Sequence, residues 1–207
     1  PHFFFKNNPP HDLRLSLVGS EMCIRDSFEG HMKWIFSYGS LIWRPAIPYI
    51  KRRKASLSGW SRRFWQLSSD HRGTLVSPGR VVTLVRDGSS QCVGVAFGIA
   101  DRDWEEVKNN LDYREKNGYK RHLVQIAFEN KGSATALTYI AGPENPSYSP
   151  FSELSRDIVN QVLRAVGPSG TNLQYVSSLN ESLREMGIED HEVSSLLDAV
   201  LELKGAS

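Results

Sequence analysis

Residues 80–99 read Arg-Val-Val-Thr-Leu-Val-Arg-Asp-Gly-Ser-Ser-Gln-Cys-Val-Gly-Val-Ala-Phe-Gly-Ile. Two β-branched apolar runs, Arg80–Val85 and Gln91–Ile99, flank the turn pair Asp87-Gly88. That pattern predicts a β-hairpin, because both residues of the pair tolerate the positive φ of a tight two-residue turn. Working outward, Met32–Ser37 has the bulky residues of a short buried strand, and Ala55–Leu67 reads as a strand carrying Trp60, Phe64 and Trp65. On the C-terminal side, Asp101 or Asp103 is placed to cap a short helix with Trp104, Val107 and Leu111 on one face. Tyr119–Phe128 and Thr135–Ile140 are two further strands around a turn with Asn130 and Gly132. The loop 142–150 holds three prolines and small residues, a composition that predicts a loosely packed flap. Beyond it the apolar period becomes helical: Leu154, Ile158, Val162; then Leu173, Val176, Leu179, Leu183; then Val193, Leu196, Leu197, Val200, Leu201. Strands followed by helices predict an α+β domain rather than a parallel βαβ sheet.

The 207 residues, 40% hydrophobic and 23% charged, suffice for one domain with a sizeable core and exclude a disordered or collagen-like chain. Two cysteines, Cys23 and Cys92, cannot form a disulfide framework, so a reducing, cytoplasmic setting is expected. No apolar run reaches the ~18 residues of a membrane span, so no membrane partner is expected. The first 31 residues differ from the rest. Residues 16–27 resemble translated sequencing-adaptor sequence, and residues 1–31 are expected to be a non-native or disordered leader before a single domain over 32–207.

Charge is unevenly spread. Residues 44–86 hold ten basic residues and one acid, Asp70, whereas residues 87–207 hold 11 basic and 18 acidic residues. Basic residues among Tyr49, Trp60, Phe64 and Trp65 could form a nucleic-acid surface, yet no nucleic-acid motif accompanies them. The better expectation is that strand arginines pair with helix carboxylates or attract an anionic small molecule, with no nucleic acid bound.

Few residues have the pattern of a reactive site. Gly39 in Tyr38-Gly39-Ser40-Leu41 permits a bend at which successive backbone N–H groups converge on an anion, although Gly-Ser after a strand is usually only a turn. Glu115 falls where a helix gives way to a strand; burial there would raise its pKa and suit it to proton transfer, whereas flanking Arg114 and Lys116 would make it a solvated ion-pair member. His71, His122 and His191 are widely spaced, which argues against a metal site. Cys92 reads as a small core residue, and Asp70-His71-Arg72-Gly73 as a polar loop that orders its surroundings.

In register, Phe36-Ser37-Tyr38-Gly39-Ser40-Leu41-Ile42-Trp43, Ser61–Gln66, Asp70–Gly73, Pro78–Leu84, Leu111–Tyr119, Tyr139-Ile140 and Gly167–Asn172 resemble the ChaC family of glutathione-specific γ-glutamylcyclotransferases. The resemblance implies a small mixed-sheet, barrel-like core with surrounding helices. It implies a lyase whose substrate is the small molecule glutathione, cleaved to 5-oxoproline and Cys-Gly without metal or cofactor, in a monomer or weak dimer. It places the catalytic carboxylate at Glu115 and the substrate loop at Ile35, Phe36, Ser37, Tyr38, Gly39 and Ser40, with Leu41 beside it and Tyr139 as a hydroxyl donor. Ser37 stands where the family usually has Gly, and Asn117 where Gly is common; a positive φ at either would be costly for Ser and milder for Asn. The alternatives are a cyclotransferase for another γ-glutamyl amine or dipeptide and a non-catalytic γ-glutamyl-binding module.

Overall fold

The computed structural model describes residues 32–206; the leader expected over residues 1–31 lies outside the described residues. Five strands form a closed barrel: β1 (Met32–Ser37), β2 (Lys51–Ser68), β3 (Gly79–Ala100), β4 (Lys120–Phe128) and β5 (Ser133–Ile140), in the order β1-β3-β2-β4-β5. The sheet is mixed. β2–β3, β2–β4 and β4–β5 are antiparallel, and closure comes from the parallel pairing of β1 with β5, Trp34 opposite Ala136 and Ile35 opposite Leu137. Thr138 Oγ1 donates to the Phe36 carbonyl across this seam at 2.9 Å.

The expected hairpin at Asp87-Gly88 is not there. β3 runs on as one strand, and the hairpin partner of its whole length is β2, joined through residues 69–78. Ser58 pairs with Gln91 and Trp60 with Arg86, so Gly59 alone faces the four residues Asp87–Ser90. This bulge satisfies itself: the Asp87 carboxylate accepts from Ser89 N, Ser89 Oγ and Ser90 Oγ. Gly59 opposite takes φ +78, which a residue with Cβ adopts only with strain. The turn signal was real, but its geometry widens a ladder instead of reversing it.

Four helices follow the strands or interrupt them: α1 (Trp104–Arg114), α2 (Arg156–Arg164), α3 (Asn172–Glu185) and α4 (His191–Gly205). α1 is entered through a 3₁₀ turn over Asp101–Asp103, and Asp103 makes no side-chain cap, contrary to expectation. The other starts are capped by side chains: Ser155 accepts from Ile158 N, Thr171 and Gln174 form a reciprocal capping box, and Asp190 accepts from Val193 N. Val162, Leu179, Leu183, Leu196 and Val200 pack with barrel residues such as Phe64 and Phe97 into one core, all 1% exposed or less. Leu154 and Leu201, grouped with these stripes in the sequence, stay at the surface at 38% and 48% exposure.

The loop over 142–150 is not a loose flap. Leu67 N donates to Ser147 O and Ser149 N to Trp65 O, so the loop lies along β2. Arg80 Nη1 also donates to the Ser149 carbonyl at 2.9 Å. Proline removes donors, but these anchors come from partners remote in sequence.

Strand arginines meet helix carboxylates as charge asymmetry suggested. Arg62 pairs with Asp190 and Arg63 with Glu192, both at the start of α4. Arg86 and Arg53 instead stack on Trp60 and Phe128, at 4.1 and 3.9 Å from the ring centres. Much of the basic run is therefore spent inside the domain.

Candidate active site

At the end of β1 the chain turns through Tyr38-Gly39 into a 3₁₀ turn, Ser40–Ile42. The first N–H groups of such a turn have no acceptor within it, leaving those of Ser40 and Leu41 available to an anion. Gly39 is favoured by closeness rather than by φ, which is −130. A Cβ there would stand 3.1 Å from Val82 Cγ2 and 3.4 Å from Tyr175 Oη. Ser37 is the last residue of β1, buried, and has no positive φ; nor has Asn117, because Gly118 takes the left-handed position at φ +88. Neither substitution strains the backbone.

This turn forms one wall of a cleft of about 350 Å³. Ile35, Phe36, Ser37, Tyr38, Gly39, Ser40, Leu41, Glu115 and Tyr139 all line it, although they come from β1, the end of α1 and β5. The side chains of Ile35 and Phe36 also belong to the hydrophobic core.

Glu115 is the C-terminal cap of α1, its N–H donating to Leu111 O at 2.8 Å. Its side chain retains 21% exposure. Burial raises its pKa; Arg114, 3.6 Å away, opposes this, and Asp70 in the same cleft adds to it. The negative end of the helix dipole acts in the same direction as burial. Arg114 Nη2 also donates to Ser40 Oγ at 2.7 Å, so one guanidinium fixes the turn and the carboxylate together. Two residues on, the Asn117 carbonyl accepts from Asn145 Nδ2 at 3.0 Å, which locks the segment after Glu115 to the loop over 142–150.

Tyrosines surround the carboxylate. Tyr38 Oη donates to the Tyr139 carbonyl at 2.6 Å, and Tyr119 Oη to the Val82 carbonyl at 2.8 Å. Burial pushes both phenols well above their ordinary value and Tyr175 up to about 12, so all three are neutral donors near pH 7. Tyr139 departs from its expected role as hydroxyl donor. Its Oη donates to Asp112 Oδ1 on α1 at 2.7 Å and its carbonyl accepts from Tyr38, so its hydroxyl is engaged outside the expected role.

Sequence reasoning missed Arg44, Arg114, Tyr119 and Tyr175 as lining residues and gave Asp70 and Arg72 only an ordering role. Tyr119 stood at the end of the segment containing Glu115, and a search for cations near the carboxylate would have marked Arg114. Nothing local signals Tyr175, which reaches the cleft from α3. Among the described residues no group of three or more His, Cys, Asp or Glu is placed to hold a metal, and no helix is long and apolar enough to cross a membrane.

The fold that brings this turn and carboxylate together is similar to that of a solved γ-glutamylcyclotransferase. The crystal structure of the yeast enzyme specific to glutathione matches with a TM-score of 0.77 and 28% identity, covering 83% of this chain and 96% of that one. The family model described as ChaC-like protein matches residues 33–203, and the chain belongs to that family. Human glutathione-specific gamma-glutamylcyclotransferase 1 is 37% identical over 201 residues, covering 94% of this chain and 89% of its own length. Gamma-glutamylcyclotransferase 2-3 of Arabidopsis thaliana is 34% identical over 181 residues, covering 84% and 91%.

Proposed function

We propose that the protein is a lyase that cleaves glutathione to 5-oxoproline and Cys-Gly, with Glu115 as the proton carrier. The observation that carries this reading is the placement of Glu115, raised in pKa by burial, in the same cleft as the Tyr38-Gly39-Ser40-Leu41 turn. Glutathione contains its own nucleophile, so the site has only to fold the γ-glutamyl arm until its α-nitrogen meets the γ-carbonyl carbon. Glu115 takes a proton from the ammonium, the freed amine closes the five-membered ring, and negative charge develops on the γ-oxygen. The N–H groups of Ser40 and Leu41 suit that oxygen or the α-carboxylate beside it. Glu115 then returns the proton to the departing cysteinyl nitrogen. The attacking nitrogen loses two protons in all and the leaving nitrogen gains two, so the carboxylate ends as it began.

Free, buried Cys92 suits the cytoplasm, where thiols stay reduced.

The test is incubation with reduced glutathione, measuring 5-oxoproline and Cys-Gly, with γ-Glu-Ala alongside. Equimolar products, reduced about 100-fold or more in Glu115→Gln, are expected. Turnover of γ-Glu-Ala alone would instead assign a different γ-glutamyl substrate. Binding of glutathione by wild type without product would make the protein a γ-glutamyl-binding module.

A further inference from the structure

On the reading proposed above, the Tyr38–Leu41 turn and Glu115 serve the γ-glutamyl arm, and the other end of the substrate still needs a partner. Arg44 and Arg72 both line the cleft, and neither is in an ion pair among the described residues. Arg44 is exposed and follows the substrate turn directly, its N–H donating to the Ser40 carbonyl at 3.0 Å. Its guanidinium has no carboxylate within ion-pair distance among the described residues. Arg72 is 9% exposed; its Nη1 donates to Thr171 O at 3.2 Å and its guanidinium lies 5.5 Å from the Tyr175 ring centre, but no carboxylate pairs with it either. Asp70, the acid between them in sequence, takes Ser68 Oγ and lies 3.6 Å from His71 Nε2. Burial pushes the Arg72 pKa down, Tyr175 opposes this, and Arg44 adds a smaller downward push. Two guanidiniums that line one cleft, neither in an ion pair among the described residues, suit an incoming anion.

We infer that Arg44 and Arg72 receive the carboxylate at the leaving-group end of the substrate, the glycyl carboxylate of glutathione, and so select for an acidic leaving peptide. This rests on the function proposed above. Arg72, partly fixed by Thr171 and Tyr175, supplies the anchored charge. Arg44, tied by its backbone to the turn that holds the γ-glutamyl end, sets the span between the two ends of the ligand. A neutral leaving group would bring no anion to either guanidinium.

The experiment compares glutathione with its glycinamide, which differs only in that carboxylate. Binding is measured calorimetrically in Glu115→Gln and turnover in the wild type. In Glu115→Gln, glutathione should bind about five- to twentyfold more tightly than the amide, as expected for a partly exposed charge-assisted contact. That preference should shrink as salt is raised and fall to about twofold or less when Arg44→Ala is added. Arg44 is exposed, so its truncation leaves the core intact, and Arg44→Lys should keep part of the preference. Equal binding of acid and amide by Glu115→Gln, or a preference that survives Arg44→Ala, would overturn the inference. Absence of turnover in wild type, with the binding preference intact, would instead overturn the lyase reading alone.

Discussion

Glu115 sits between opposing influences, and its neighbours set the pH at which it can act. As a base it must be ionised, so kcat/KM should fall on acidification through a pKa above the ordinary carboxylate range. Asp70→Asn removes a charge that adds to the raised pKa and should move that acidic limb to lower pH, read from a pH profile of kcat/KM. An unmoved limb would show that Asp70 does not act on Glu115. The same shift has a thermodynamic side. A folded pKa above the unfolded one gives a contribution fully present below the unfolded pKa and lost as pH rises through the folded one. At neutral pH the ionised carboxylate therefore costs stability, and Glu115→Gln should melt at the same or a higher temperature than wild type, the difference shrinking as the pH is lowered. A lower Tm at pH 7 would contradict this. Glu115 and the Tyr38–Leu41 turn were legible because each lies within a short recognisable segment. Arg114 was legible only as a neighbour in sequence, since its bond to Ser40 spans 74 positions.

The start of α4 is tied to the barrel by two ion pairs, of which that of Arg62 is the buried one. Arg62, whose side chain is fully buried, donates through Nε to the Tyr38 carbonyl, through Nη2 to the Val93 carbonyl, and pairs with Asp190, the N-cap of α4. Substrate turn, barrel wall and helix start therefore share one guanidinium. Asp190→Ala leaves that cation buried and uncompensated while removing the cap, and should cost about 3–5 kcal/mol in denaturant unfolding. Thr171→Ala, which removes only the capping box of α3, should cost about 1 kcal/mol. Comparable losses in the two variants would mean that Arg62 does not need its carboxylate. The strand segments and helical periods were readable because the apolar pattern follows the burial of each element. The hairpin was not, because an Asp-Gly pair between β-branched runs fits a wide bulge as well as a reversal; the pairing of Arg86 with Trp60, 26 residues upstream, decides which forms.

At the scale of the whole molecule, three antiparallel pairings and the pairing of β1 with β3 build a ribbon, and one parallel seam turns it into a barrel. The seam is narrow. Thr138→Val removes the hydroxyl that bonds the Phe36 carbonyl across it, leaving that buried acceptor short of a partner, and should cost about 1–3 kcal/mol. Hydrogen exchange in this variant should quicken in β1 and β5 before it does in β2–β3, and uniform quickening would argue that the barrel opens only as a unit. Class and layering could be inferred from strands preceding helices. Closure could not, because it depends on β1 meeting a strand that begins about 100 residues later.

That separation also sets a clock. Ile35 pairs with Leu137, so the seam cannot close on a growing chain until β5 has left the ribosome. At roughly 5–20 residues per second, the first strand waits about 5–20 s for its last neighbour. During that interval the edge of β1 that β5 will cover stays open to chaperones and to other nascent chains, and the cleft, whose lining extends to Tyr175, is among the last features to be completed.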